Sequence, residues 1–128
     1  MVSGDAGRVV IGGGPGTGKT TLSASYACDV VHTDRMIGRT TWESISDHLA
    51  DWMLRPGPWV VEGVASVRAL RKLLEVYPHR RPCDLVIWCR TPRVPLTARQ
   101  ATMAKGVERT WREVRAVLRR LDVDVTYA

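Results

Sequence analysis

A glycine-dense stretch between an apolar run and a helix-forming segment constrains this chain more than any other feature. Val9-Val10-Ile11 leads into Gly12-Gly13-Gly14-Pro15-Gly16-Thr17-Gly18-Lys19-Thr20-Thr21. Residues 13–20 satisfy G-x-x-x-x-G-K-[ST], the phosphate-binding loop. Glycines admit positive φ and close backbone approach, so successive N–H groups can converge on one concavity. Where that concavity opens a helix, the unpaired N–H groups and the helix dipole favour an anion. Gly13, Gly14, Pro15, Gly16, Thr17, Gly18, Lys19, Thr20 and Thr21 are therefore expected to cradle a nucleoside triphosphate. Lys19 is expected to reach the β- and γ-phosphates, and the Thr20 hydroxyl to ligate Mg²⁺.

Around this loop the pattern alternates strand and helix. Residues 8–12 read as a first strand and residues 18–28 as the helix after the loop. Residues 29–34 form a short second strand ending in a polar corner. A helix over 41–54 is opened by the capping-box spacing Thr40-x-x-Glu43, and Trp42, Ile45, Leu49, Trp52 and Met53 form its apolar face. Arg55-Pro56-Gly57-Pro58 stops it. Residues 59–64 are a third strand, residues 66–77 a helix capped by Ser66, and residues 85–89 a continuous apolar run, as in a central parallel strand. Residues 90–106 are irregular and form a candidate lid. A last helix spans 107–121, and a fifth strand 122–127. Alternation at this spacing implies βαβ units, a parallel sheet and helices on both faces, with ligands beyond the carboxyl ends of the strands.

A chain of 128 residues supports one domain, 1–128. Apolar content of 45% and charged content of 25% place it among globular chains rather than disordered or membrane-spanning ones. No apolar run approaches membrane length and the first residues carry no signal-peptide pattern, so a cytoplasmic location without membrane contact is expected. The net charge of +6 suits a polyanionic partner. Cys28, Cys83 and Cys89 have no C-x-x-C spacing, which argues against a zinc site or disulfide framework. Oligomeric state leaves no mark in the sequence.

Three further segments extend the reading. Residues 30–38, V-V-H-T-D-R-M-I-G, resemble the second-strand segment of shikimate-kinase-like enzymes, where an Asp ends the strand and contacts the phosphate acceptor. Residues 58–71, P-W-V-V-E-G-V-A-S-V-R-A-L-R, resemble the W-V-I-D-G-N-Y-S stretch of bacterial topology-modulation and adenylate-kinase-related proteins. Residues 84–93, D-L-V-I-W-C-R-T-P-R, are similar to the fourth strand of the same group. The chain thus resembles the small P-loop kinases (shikimate, gluconate, adenylate and polynucleotide kinases) over nearly its whole length. Guanine-binding GTPases are disfavoured, since the chain has no Asn for an Asn-Lys-x-Asp motif. Oligomeric ATPases are disfavoured because the chain is short and has no Asp-Glu pair.

The resemblance implies a P-loop NTPase three-layer sandwich with a five-stranded parallel sheet, and ATP with Mg²⁺ as cofactors. It implies Asp34 as the base that accepts the acceptor hydroxyl's proton. It puts Arg35, Arg39, Arg68 and Arg71 with Asp34 on the acceptor side, and an arginine, best Arg99, in a lid over the phosphates; Arg93, Lys105 and Arg109 are lid alternatives. Glu62 interrupts an apolar strand, and a bare buried carboxylate is costly, so a Mg²⁺ shell or an arginine partner is expected there. His32, His48 and His79 have no ligand spacing and read as structural or exposed. The expected activity is phosphoryl transfer to a small anionic acceptor, such as a nucleotide or a nucleic-acid 5′ end. The alternative is a nucleotide-binding module that regulates a partner.

Overall fold

The apolar runs become the strands of one sheet. The computed structural model describes residues 7–24, 26, 29–36 and 40–128, with positions 34 and 36 by backbone alone. Five strands, β1 (Arg8–Gly13), β2 (Asp29–His32), β3 (Trp59–Glu62), β4 (Leu85–Cys89) and β5 (Asp124–Tyr127), alternate with α1 (Lys19–Ser23), α2 (Trp42–Met53), α3 (Ser66–Val76) and α4 (Ala98–Arg120). The sheet order is β2-β3-β1-β4-β5. Every pairing is parallel. This α/β architecture is consistent with a P-loop-like fold. Among the described residues, no helix is long and apolar enough to cross a membrane.

Strand side chains alternate between two faces. Val10, Val61, Val86 and Trp88 point into the larger core, which Ile45 and Leu49 of α2, Leu70 of α3, and Trp111 and Leu118 of α4 complete. Val9, Ile11, Val60, Leu85 and Cys89 face the other way, where Leu22 of α1 and Tyr26 pack. The chain therefore leaves β1 across one face, while the connections after β3 and β4 cross the other. Such a reversal opens a crevice at the carboxyl end of β1, and the glycine loop occupies it.

Aromatic packing fixes α4 against this crevice. Trp88 of β4 stacks on Trp111 of α4, with ring centroids 4.4 Å apart and planes 7° from parallel. The stack lies so close to β1 that a Cβ on Gly12 would sit 2.8 Å from Trp88 Cζ3. Gly12 is thus a packing requirement as well as part of the loop's approach. Trp59 sets its ring edge-on to Trp52 at 5.5 Å, and its indole N–H donates to the Arg55 carbonyl at 3.0 Å.

Several element boundaries differ from the sequence expectation, each for a local reason. The last helix begins at Ala98, not near 107, because Thr97 and Gln100 form a complete capping box. Gly106 then sits inside the helix, where a Cβ would meet nothing within 4 Å. Its weak helix preference, about 1 kcal/mol, is outweighed by the buried Val107, Trp111, Val114 and Leu118 that follow. The cap of α2 is Thr41, which accepts from the Ser44 amide, rather than Thr40. Ser66 is the first residue of α3, and its hydroxyl donates to the Gly63 carbonyl. After His32 the second strand turns into a 3-10 turn, Thr33–Met36.

The start of the central strands is clipped by Asp84. Its carboxylate accepts the Arg8 amide at 2.7 Å and the Arg8 guanidinium at 3.3 and 3.4 Å. Its own amide donates to the Arg8 carbonyl, and its carbonyl accepts from Asp124. Partial burial pushes the carboxyl up, but the Arg8 hydrogen bonds and charge outweigh this and hold it below its ordinary 3.8. A depressed carboxyl stabilises the fold fully above the unfolded pKa, and loses that contribution as pH falls through the folded one. Asp84→Asn should therefore destabilise by about 1 kcal/mol at neutral pH, a charged-bond value reduced for solvent exposure. Denaturant titrations should show the wild-type–variant gap closing below about pH 4; a gap constant with pH would contradict the ion pair's role.

Candidate functional site

Between β1 and α1 the backbone takes conformations that only glycine holds without strain. Gly13 has φ 146°, and a Cβ there would lie 2.4 Å from the Cys89 carbonyl oxygen. Gly18, at φ 86°, is the N-cap of α1, and a Cβ there would meet Arg93 Nε at 2.9 Å. The Arg93 amide in turn donates to the Gly16 carbonyl at 2.6 Å. The loop is thereby held from the β4 side. Inside it, the buried Thr17 hydroxyl donates to the Gly14 carbonyl at 2.9 Å. The buried Lys19 ammonium donates to the same carbonyl at 2.6 Å and to Thr17 Oγ1 at 3.3 Å.

Directly behind the loop lies Glu62, the last residue of β3, with no solvent exposure. Its Oε1 accepts the Thr20 hydroxyl at 3.3 Å and lies 2.5 Å from His32 Nδ1. Its Oε2 is buried and has no hydrogen-bond partner among the described residues. Strand register produces this grouping. His32 and Ile11 flank Glu62 on the neighbouring strands, and alternation turns Glu62 and His32 toward the α1 face. An orphaned carboxylate oxygen in a protein interior is expensive unless a cation or water meets it. The partners of Glu62 are thus a hydroxyl and an imidazole, not the arginine that was the alternative expectation.

On the α4 face, a cleft of about 560 Å³ runs from Gly14, Pro15 and Thr17 to α4. Its charged lining is Arg90, Lys105, Arg109 and Arg112, against Glu108 alone. Cys89 closes its floor; burial pushes the thiol's pKa up and Glu62 adds to this, opposed by the Lys19 and Arg93 charges. Cys89 is therefore a neutral wall at physiological pH.

The other expected site residues lie on several elements. Asp34 lies in the 3-10 turn at the carboxyl end of β2, and Arg35 beside it is exposed. Arg39 lies outside the described residues. Arg68 sits over the Trp42 ring at 5.2 Å. Arg71 pairs with Glu113 at 3.2 Å and approaches Glu75 at 4.0 Å, so its charge is already met within the α3–α4 contact. Arg99 is exposed on the first turn of α4 and does not line the cleft, whereas Lys105 and Arg109 do. Cys83 and Cys89 are free, buried core residues.

Sequence reasoning missed His32, Arg90 and Arg112. His32 could have been found: it stands two residues before Asp34 on a short strand, at the end where an acidic residue of the adjacent strand would face it. Arg90 and Arg112 carried no such signal, because nothing in the sequence folds α4 over the loop. The chain matches no protein-family model and no curated protein.

The orphaned oxygen yields a test. Glu62→Gln removes the buried charge and leaves a side chain of the same shape that can keep the Thr20 contact. Without metal, the variant should equal or exceed wild type in unfolding free energy by up to about 2 kcal/mol. A clear loss of stability in denaturant titrations would mean that the carboxylate serves the fold itself.

Proposed function

We propose that this protein binds Mg-ATP at residues 13–21 and transfers the γ-phosphoryl group to a small anionic acceptor, such as a nucleotide or a nucleic-acid 5′ end. The observation that carries the reading is Glu62, a fully buried carboxylate with an unpartnered oxygen, bonded to the hydroxyl of Thr20 in the glycine loop. A hydroxyl and a carboxylate meeting at the end of a phosphate-loop motif are a hard-oxygen donor set suited to a hydrated Mg²⁺. The residues present therefore fit the ion: Thr20 would hold it directly, and Glu62 through water. When bound, Mg²⁺ would neutralise charge on the β- and γ-phosphates.

The chain's own residues would then position and stabilise. Lys19 would exchange its bonds to Gly14 and Thr17 for phosphate oxygens, a stronger, charge-assisted contact. His32 would hold Glu62 in place through Oε1. The acceptor oxygen would attack the γ-phosphorus as the bridging bond to the β-phosphate breaks, and ADP would depart with the bonding electrons. Asp34, at the carboxyl end of β2, would take the acceptor hydroxyl's proton. The basic lining of the cleft beside the loop supports an anionic ligand there, since grouped guanidinium charges gain from a phosphate. Catalysis of this kind is positioning and charge neutralisation, without a covalent intermediate.

Two measurements test the reading. Calorimetry should show Lys19→Ala weakening Mg-ATP binding by about 2–4 kcal/mol, the scale for losing a charged partner of a phosphate; unchanged affinity would remove the foundation. In a coupled ADP-release assay across nucleotides, 5′-hydroxyl oligonucleotides, neutral sugars and no acceptor, Asp34→Asn should keep ATP binding yet lower turnover by roughly 10²–10⁴-fold. Near-normal turnover would reduce Asp34 to a turn residue, and stimulation by neutral acceptors alone would overturn the anionic assignment.

A further inference from the structure

The positive charge of this molecule is concentrated on one helix. α4 carries seven basic and two acidic residues, so it supplies five of the chain's six net positive charges. On the helix surface these charges are not scattered. At about 100° per residue, Lys105, Arg109, Arg112 and Arg119 fall within an arc of roughly 80°, opposite the buried Val107, Trp111, Val114 and Leu118. The stripe is about 21 Å long at 1.5 Å per residue. Its first three members line the cleft at Gly14 and Pro15, and Arg119 continues it away from the loop. Among the described residues, Lys105, Arg109 and Arg119 form no ion pair, and Arg112 approaches only Glu108, at 3.8 Å. At the edge of the same cleft, the Arg90 guanidinium lies over the exposed ring of Tyr127, 4.8 Å from its centroid.

We propose that the stripe on α4 binds the backbone of a single-stranded nucleic acid, whose end enters the cleft beside the glycine loop. Three cations at one-turn steps and a fourth two turns further along an exposed helix match a chain of phosphates better than a lone anion. A mononucleotide would engage the cleft members and leave Arg119 unused. The exposed phenol ring with the guanidinium beside it at the cleft edge offers a surface on which a base can stack without sequence preference. An anionic membrane is disfavoured, since the apolar face of α4 is already buried in the core. The strand's end as phosphoryl acceptor rests on the proposed phosphotransferase activity; the binding itself does not.

The test uses the full chain without ATP, so that its failure is separable from failure of ATP binding. Fluorescence anisotropy would follow 3′-labelled, 5′-hydroxyl oligonucleotides of two, four, eight and twelve nucleotides, with a labelled oligoglutamate as competitor class. Affinity should rise with length to about eight nucleotides. Arg112→Ala combined with Arg119→Ala should weaken the twelve-mer at least tenfold and flatten the salt dependence by roughly 1.4 in log–log slope. Tyr127→Leu should weaken it severalfold while leaving that slope unchanged. Arg80→Ala with Arg81→Ala, exposed and outside α4, should change nothing. Retained thermal unfolding in every variant excludes misfolding as the cause. Length-independent binding, insensitivity to the double substitution, or equally tight binding of oligoglutamate would each overturn the proposal, even with ATP binding intact.

Discussion

A carboxylate with no access to water governs the architecture at the carboxyl end of this sheet. Glu62 cannot be buried there alone, and its neighbours are arranged accordingly: the Thr20 hydroxyl from α1 and the His32 imidazole from β2 converge on one oxygen. The parallel register of β2, β3 and β1 brings His32, Glu62 and Ile11 level. A slip of β3 by one residue would turn Glu62 toward the apolar core under α2 and α3, where Val61 now sits. The same carboxylate thus penalises the wrong register and assembles the site. Two bonds satisfy only one of its oxygens, and the other has no hydrogen-bond partner among the described residues.

The second constraint is proximity. Gly12 has no side chain because Trp88 occupies the space, and Trp88 is held there by the stack with Trp111. This chain of contacts runs from β1 through β4 into the middle of α4. It sets the distance between the glycine loop and the basic face of α4, and so creates the cleft between them. Packing that belongs to the core therefore determines the geometry of a surface site, and a smaller residue at Trp111 would loosen both.

The fold was legible because its signals are local. Val9-Val10-Ile11 and residues 85–89 are strands in any context, and glycines at 13, 16 and 18 predict the positive φ found there. Glu62 was legible too, since a lone acid in an apolar strand demands a partner. The partner was legible only in part: His32 stands at the right end of a short strand, but choosing it over an arginine depends on the β2–β3 register, which sequence periodicity does not encode. The pairing of Arg71 was hidden for a similar reason. Arg71 sits three residues beyond Arg68 and shares its helix face, yet α4 lies close enough to offer Glu113. Helix–helix contacts of that kind are tertiary, and spacing along one helix is blind to them. The start of α4 was misplaced because Gly106 and the prolines suggested interruption, whereas a strong cap at Thr97 and the packing of Trp111 overrode that preference.

The fold does not require the charge on α4. Outside this helix the chain has twelve basic and eleven acidic residues, close to balance. Arg119 and Arg120 in the last turn complement the helix dipole, so part of the excess has a local explanation. Lys105, Arg109 and Arg112 have none of that kind. They lie mid-helix at three- and four-residue steps, where like charges destabilise by a few tenths of a kcal/mol per pair. Glu108 offsets only one of them, at a length that gives little. A helix stabilised mainly by its buried face can carry such repulsion, but nothing in its own folding favours it. Local choices that oppose stability tend to cluster where a protein meets a ligand. Here they cluster along the wall that faces the glycine loop.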